Sequence, residues 1–176
     1  MKNIRYVAFL RGINVGKAKQ VKMTELKKAF ESLGFQNVKT LLNSGNVIFE
    51  TESKDEQKLT QQIADALEKT FGWRISVLLR PIIELQALAD TEPFKEITIT
   101  PQTRFYVTFL TDKPEGIINP SPKEYSIVHV SDREVCSVIT ITPEKNTTDL
   151  MKGLEQKYGK NITTRNWNTV MRILKI

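Results

Sequence analysis

Hydrophobic positions along this chain change their period several times, and each change marks an element. Arg5 to Leu10 (RYVAFL) is a β-favouring run that is apolar at both alternating sets of positions, as expected of a central strand covered on both faces. From residue 23 the period becomes helical: Met23, Leu26, Ala29, Phe30 and Leu33 share a face, and Gly34 suits the left-handed residue that ends a helix. Val38 to Leu42 and Val47 to Thr51 flank the turn-rich tetrad Asn43-Ser44-Gly45-Asn46, so the pair reads as a hairpin. Ser53-Lys54-Asp55-Glu56 fits a capping box and predicts a second helix, with Leu59, Ile63, Ala66, Leu67 and Phe71 on one face and Gly72 as its stop. Trp73 to Leu79 reads as a fourth strand ended by Arg80-Pro81.

The order β-α-β-β-α-β is that of a ferredoxin-like unit, and the fold class it predicts is α+β. In that topology the first two strands run the same way. The exit of the first and the hairpin after the second therefore lie at one end of the sheet, which brings Leu10-Arg11-Gly12-Ile13-Asn14-Val15-Gly16-Lys17 beside Asn43-Ser44-Gly45-Asn46.

The expected division is a ferredoxin-like subdomain over residues 1–80 and a second α+β subdomain over 81–176, packed on it and closed by two helices. In this second half Ile82 to Ala89 reads as a helix and Arg104 to Leu110 as a strand. Tyr125 to Val130 and Val135 to Ile141 form a hairpin around Ser131-Asp132-Arg133-Glu134. Pro114 to Lys123, with three prolines, is a loop. The closing helices are placed at Asp149 to Tyr158 and Thr164 to Leu174, the second capped by Thr164. The sequence shows no strong internal repeat and no low-complexity segment.

Charge changes the picture at the two ends. The chain of 176 residues carries a net charge of +6, with +5 concentrated in residues 11–28 and +4 in 149–176, while 29–148 is net acidic at −5. A basic stretch that begins inside the predicted loop pair favours an anionic partner, although such runs also serve as solvated helix faces. No apolar run approaches the ~20 residues needed to cross a bilayer, and the N-terminus passes directly into a strand-like segment, so the reading is cytoplasmic with no membrane partner. A single cysteine, Cys136, excludes an internal disulfide and a thiolate-rich metal site.

The loop Gly12-Ile13-Asn14-Val15-Gly16-Lys17-Ala18 invites comparison with a phosphate-binding P-loop. Its glycines are one residue too close, and Ala18 lacks the hydroxyl that would hold magnesium. A looser anion site stays open: Arg11 and Lys17 offer charge, Asn14 and Asn46 side-chain amides, and Gly12, Gly16, Ser44 and Gly45 backbone or hydroxyl donors. The alternative is that the glycines serve tight turns and the asparagines bridge loops. Arg165 and Asn166, in Thr163-Thr164-Arg165-Asn166-Trp167-Asn168-Thr169, are candidates for the same site or a second one, against a plain cap and a core tryptophan. His129 and Cys136 become cross-strand neighbours if the hairpin turns at Asp132-Arg133, which raises a thiol–imidazole pair without an orienting third group. No carboxylate pair, zinc spacing or serine triad can be assigned.

The run LRGINVGKAKQVKMTELKKAFESLGFQNVKTLLNSGNVIFET, with the closing TTRNWNTVMRIL, resembles the bacterial domain of unknown function 1697 family over nearly the whole chain. Where that family's pattern often places a second glycine after Gly16 and a glutamine before Ser44, this chain has Lys17 and Asn43. The resemblance implies no activity or cofactor, and whether the chain is an enzyme stays open. Three functions compete: binding of a small anionic or nucleotide-like ligand at the paired loops, nucleic-acid binding through the βαββαβ topology, and non-catalytic protein interaction. The second is weakened because Gly45-Asn46-Val47-Ile48-Phe49 lacks the basic-glycine-aromatic pattern of RNA-recognition strands.

Overall fold

The computed structural model describes residues 3–16, 19–111, 113, 125–144 and 146–176. The expected proline-rich loop at 114–123 lies outside the described residues, as do Lys17 and Ala18. The fold is α+β, with two antiparallel four-stranded sheets and five helices among the described residues. The chain divides into two compact units, Met1–Gln86 and Ala87–Ile176.

The first unit contains β1 (Ile4–Arg11), α1 (Met23–Glu31), β2 (Gln36–Leu41), β3 (Asn46–Thr51), α2 (Glu56–Phe71) and β4 (Ser76–Pro81). Its sheet order is β2-β3-β1-β4, which is ferredoxin-like. Alternation along β1 sends Tyr6, Ala8 and Leu10 into a core with Leu26 and Phe30 of α1 and Leu59, Ile63 and Leu67 of α2. Phe49 anchors that core, stacked on Phe35 at 4.4 Å and met edge-on by Phe30 at 5.5 Å. Val7 and Phe9, on the other face of β1, are fully buried as well. The doubly apolar pattern of RYVAFL thus corresponds to a strand dry on both sides.

Helix α3 (Ile82–Asp90) follows β4 directly and carries the boundary between the units. The second unit contains β5 (Thr103–Leu110), β6 (Ser126–Val130), β7 (Glu134–Thr140), α4 (Thr147–Tyr158), β8 (Ile162–Asn166) and α5 (Trp167–Leu174). Its sheet order is β6-β7-β5-β8, and Leu150 and Leu154 of α4 pack on Tyr106, Leu110, Val135 and Ile139.

The two sheets repeat one topology, which the sequence alone does not reveal. Strand for strand, β2-β3-β1-β4 corresponds to β6-β7-β5-β8, with α4 in the place of α2 and α5 in the place of α3. The central strands carry Tyr6-Val7-Ala8-Phe9-Leu10 and Tyr106-Val107-Thr108-Phe109-Leu110 in the same register. Val7 lies between Ile48 and Arg80, and Val107 lies between Cys136 and Arg165. The exit of each central strand is tied identically to the turn before its neighbour: the Leu10 amide donates to the Gly45 carbonyl at 2.8 Å, and the Leu110 amide to the Arg133 carbonyl at 2.8 Å. A shared segment of five residues within otherwise divergent halves is too short to register as a repeat in the sequence.

Two local expectations are corrected. The cap of α2 is Asp55, whose carboxylate accepts the Lys58 amide at 2.9 Å, while Ser53 Oγ accepts the Asp55 amide. Aspartate is as good a cap as serine, and the later position starts the helix closer to its apolar face. The expected helix from Thr164 begins instead at Trp167. Residues 162–166 form β8, where the Thr164 hydroxyl bonds that of Thr108 at 2.9 Å, and the cap passes to Asn166, which accepts the Asn168 amide. β-branched residues beside an open strand edge favoured pairing over helix.

Candidate functional site

The two loops meet as the topology requires, and the contacts that join them are specific. Beyond β1, Ile13 turns back into the core and packs on Gly45. A Cβ on Gly45 would stand 2.8 Å from Ile13 Cδ1 and 2.8 Å from Leu10 Cβ, at a φ of +79°. Only glycine satisfies both the left-handed backbone and this close approach.

Asn14 then fastens the loop. Its side-chain nitrogen donates to the Asn43 carbonyl at 2.9 Å and to the Val21 carbonyl at 3.1 Å, while Oδ1 accepts the Val21 amide at 2.7 Å. Its own amide donates to the Lys19 carbonyl at 3.1 Å. One asparagine therefore closes the segment 14–21 on itself and binds it to the β2–β3 turn. Asn46 is fully buried and organises that turn from inside, its Nδ2 donating to the Leu41 carbonyl at 2.8 Å and to Ser44 Oγ at 3.1 Å. Arg11 ends β1 opposite Ser76.

Of the residues expected at the site, Arg11, Gly12, Asn14, Gly16, Ser44, Gly45 and Asn46 belong to these joined loops, and Lys17 lies outside the described residues. The side chains of Asn14 and Asn46 are engaged in holding the loops. Arg165 and Asn166 belong to the second unit, on β8. The Arg165 Nη1 donates to Thr163 Oγ1 at 2.8 Å and to the Thr164 carbonyl at 3.0 Å, and burial pulls its guanidinium down to about 10.

The backbone of the exposed loop segment has a distinct form. Gly12, Asn14 and Gly16 take φ values of +74°, +53° and +63°, whereas Ile13 and Val15 between them remain at negative φ. The amides of Gly12, Ile13, Val15 and Gly16 donate to no other described residue. The sign of φ thus alternates from residue to residue, as it does in the backbone form that turns successive amides toward one concavity. Two apolar residues that the sequence reading did not single out also stand here: Val15 is 71% exposed and Leu42 is 42% exposed, the latter at a φ of +61°. A leucine next to a turn carries no sequence signal for such a role.

Other chemistry is limited. His129 and Cys136 are cross-strand partners as expected, but Cys136 is fully buried and its thiol is pushed up to about 12 by desolvation, with a smaller contribution from Glu134, which removes a resting thiolate. Among the described residues no cluster of three or more His, Cys, Asp or Glu side chains is placed to hold a metal. No described helix is long and apolar enough to cross a membrane. The sheet face carrying Val7, Phe9 and Ile48 is buried, so bases cannot stack there in the manner of RNA-recognition modules.

A family model described as protein of unknown function (DUF1697) matches residues 4–136. Among solved structures, the conserved bacterial protein SP0830 from Streptococcus pneumoniae is similar with a TM-score of 0.73 and 21% identity, over 99% of this chain and 98% of that one. An unknown protein from Galdieria sulphuraria matches at 12% identity over 94% of this chain and 99% of that one, with a TM-score of 0.28. No curated protein matches the chain.

Proposed function

Because the chain belongs to the DUF1697 family, whose description assigns no activity, the reading has to come from its own residues, and we propose that the β1–α1 loop binds a small anionic ligand. The observation that carries this reading is the alternation of φ from Gly12 to Gly16, with four amides that donate to no other described residue. Backbone amides arranged in this way hold an anion through partial charges fixed by the fold, with little reorganisation on binding. The net +5 of residues 11–28 adds a favourable field around it. In this reading Asn14, Ser44, Gly45 and Asn46 position the loop, whereas the amides of Gly12, Ile13, Val15 and Gly16 face the ligand.

Space around the two glycines is open, since a Cβ on either would meet nothing within 4 Å. Their requirement is conformational, so Gly12→Ala and Gly16→Ala strain the loop without filling it. Titration of the protein with inorganic phosphate and with a nucleoside monophosphate at low salt tests the reading. Saturable binding that weakens about tenfold in the alanine variants supports it, a loss of roughly 1.4 kcal/mol. Absence of saturable binding to either ligand overturns it.

A further inference from the structure

We infer that the ligand of this loop is amphipathic, an organic phosphate or carboxylate whose anionic group meets the loop amides and whose apolar body lies on Val15 and Leu42. The inference rests on the anion reading above and adds the class of molecule.

Four large apolar side chains are exposed among the described residues: Val15, Leu42, Ile83 and Ile99. Single exposed aliphatic residues are ordinary on protein surfaces. Val15 and Leu42 differ in being the chain neighbours of two residues that one specific contact joins. Val15 follows Asn14 and Leu42 precedes Asn43, and the Asn14 side chain donates to the Asn43 carbonyl at 2.9 Å. The bridge that joins the loops therefore has an exposed apolar residue next in the chain to each of its ends, and Val15 itself lies within the segment 12–16.

Leu42 also holds a left-handed backbone at φ +61°, a conformation that disfavours a branched side chain. Strain of this kind persists where the surroundings hold it in place, and it accompanies sites more often than plain surface. An inorganic anion would use the amides and leave both aliphatic side chains in water. A ligand with an apolar or planar body next to its charge covers them.

The probes are inorganic phosphate and phenyl phosphate, titrated calorimetrically into the full chain at low salt. We expect phenyl phosphate to bind at least tenfold more tightly than phosphate. Leu42→Ser should reduce that preference at least threefold while changing phosphate affinity less than twofold, and Ile99→Ser in the second unit should leave it intact. Circular dichroism checks that each variant is folded, and Leu42→Asn serves as the replacement where Leu42→Ser is not. Equal affinity for the two probes, or a preference that survives substitution of Leu42, overturns this inference and leaves the anion reading standing. If neither probe binds, the anion reading itself fails.

Discussion

Arg80 and Arg165 hold the same place in two copies of one strand arrangement. Arg80 stands on β4 opposite Val7, and Arg165 stands on β8 opposite Val107. Each Nη1 donates to the carbonyl of the residue immediately before it, Leu79 at 2.7 Å and Thr164 at 3.0 Å, and a single residue, Pro81 or Asn166, separates each arginine from the helix that follows. Arg80 is 2% exposed and lies 3.9 Å from Glu84, one turn into α3. A guanidinium repeated at one register position, buried at Arg80 and half-buried at Arg165, is explained first as a device of the fold, since five donors on a rigid plane can bond backbone at a strand end while the stem packs.

The equivalence predicts matched losses of stability. Removing either side chain strips donors from backbone carbonyls and leaves a cavity, so Arg80→Ala and Arg165→Ala should each cost about 2–4 kcal/mol in urea unfolding. Glu84→Gln should cost under ~1 kcal/mol, because that carboxylate is a third exposed and its ion pair is long. A large loss at one arginine with none at the other would contradict the shared role.

Cys136 gives the chain an alkaline sensitivity with a definite sign. Its thiol titrates at about 12 when folded against 9.0 as its ordinary value, because desolvation and the charge of Glu134 oppose the thiolate. Between these values the unfolded chain has lost the proton that the folded chain keeps, so stability falls as pH rises from about 9 towards 12 and is unaffected below. Cys136→Ala should flatten this part of the profile in denaturant melts. A thiol reagent at pH 8 should label the wild type only at the rate at which it unfolds.

Legibility in the sequence followed the range of the interactions concerned. The buried character of β1, the stop at Gly72 and the hairpin pairing His129 with Cys136 depend on near neighbours or on period, and they were read directly, whereas α1 ends at Glu31 with Ser32 as its cap and Gly34 takes its left-handed φ in the turn that follows. Strand β8 depends on an edge supplied by β5 more than fifty residues earlier, and five residues beside a helical pattern carried no comparable local signal. The meeting of the two loops followed from topology. What Asn14 and Asn46 do there did not, because an amide that staples backbone and one that faces a ligand look the same in a sequence.

Gly45 predicts the most sensitive position of the turn. Gly45→Ala places a methyl 2.8 Å from Leu10 Cβ and Ile13 Cδ1 on a left-handed backbone, with no flexible side-chain end to yield at Leu10. We expect a loss of about 1–3 kcal/mol, measured by thermal or urea unfolding. Weakened anion binding should accompany it, because Ile13 anchors the loop that follows.

Asn14 separates fastening from charge. Asn14→Asp keeps the acceptor for the Val21 amide but loses both donor bonds, to Asn43 and to Val21. Hydrogen exchange should then accelerate at Asn43 and Ser44 while Val21 stays comparatively protected. Asn14→Ala should release both segments, and exchange at Asn43 and Ser44 that stays at the wild-type rate in both variants would show that the bridge to Asn43 does not hold the turn.

Leu42 predicts a conflict between stability and binding. Its φ of +61° costs a leucine on the order of 1 kcal/mol that glycine does not incur, and its side chain already stands 42% exposed, so little burial is lost on removing it. Leu42→Gly should therefore be neutral or stabilising by about 0.5–1 kcal/mol in urea unfolding, partly offset by the greater freedom of glycine in the unfolded chain. The same substitution should reduce the preference for phenyl phosphate over inorganic phosphate. Stabilisation with that preference unchanged would make the strained leucine an accident of the turn; stabilisation with the preference reduced would mean that the chain keeps a strained residue at this position for the contact it makes.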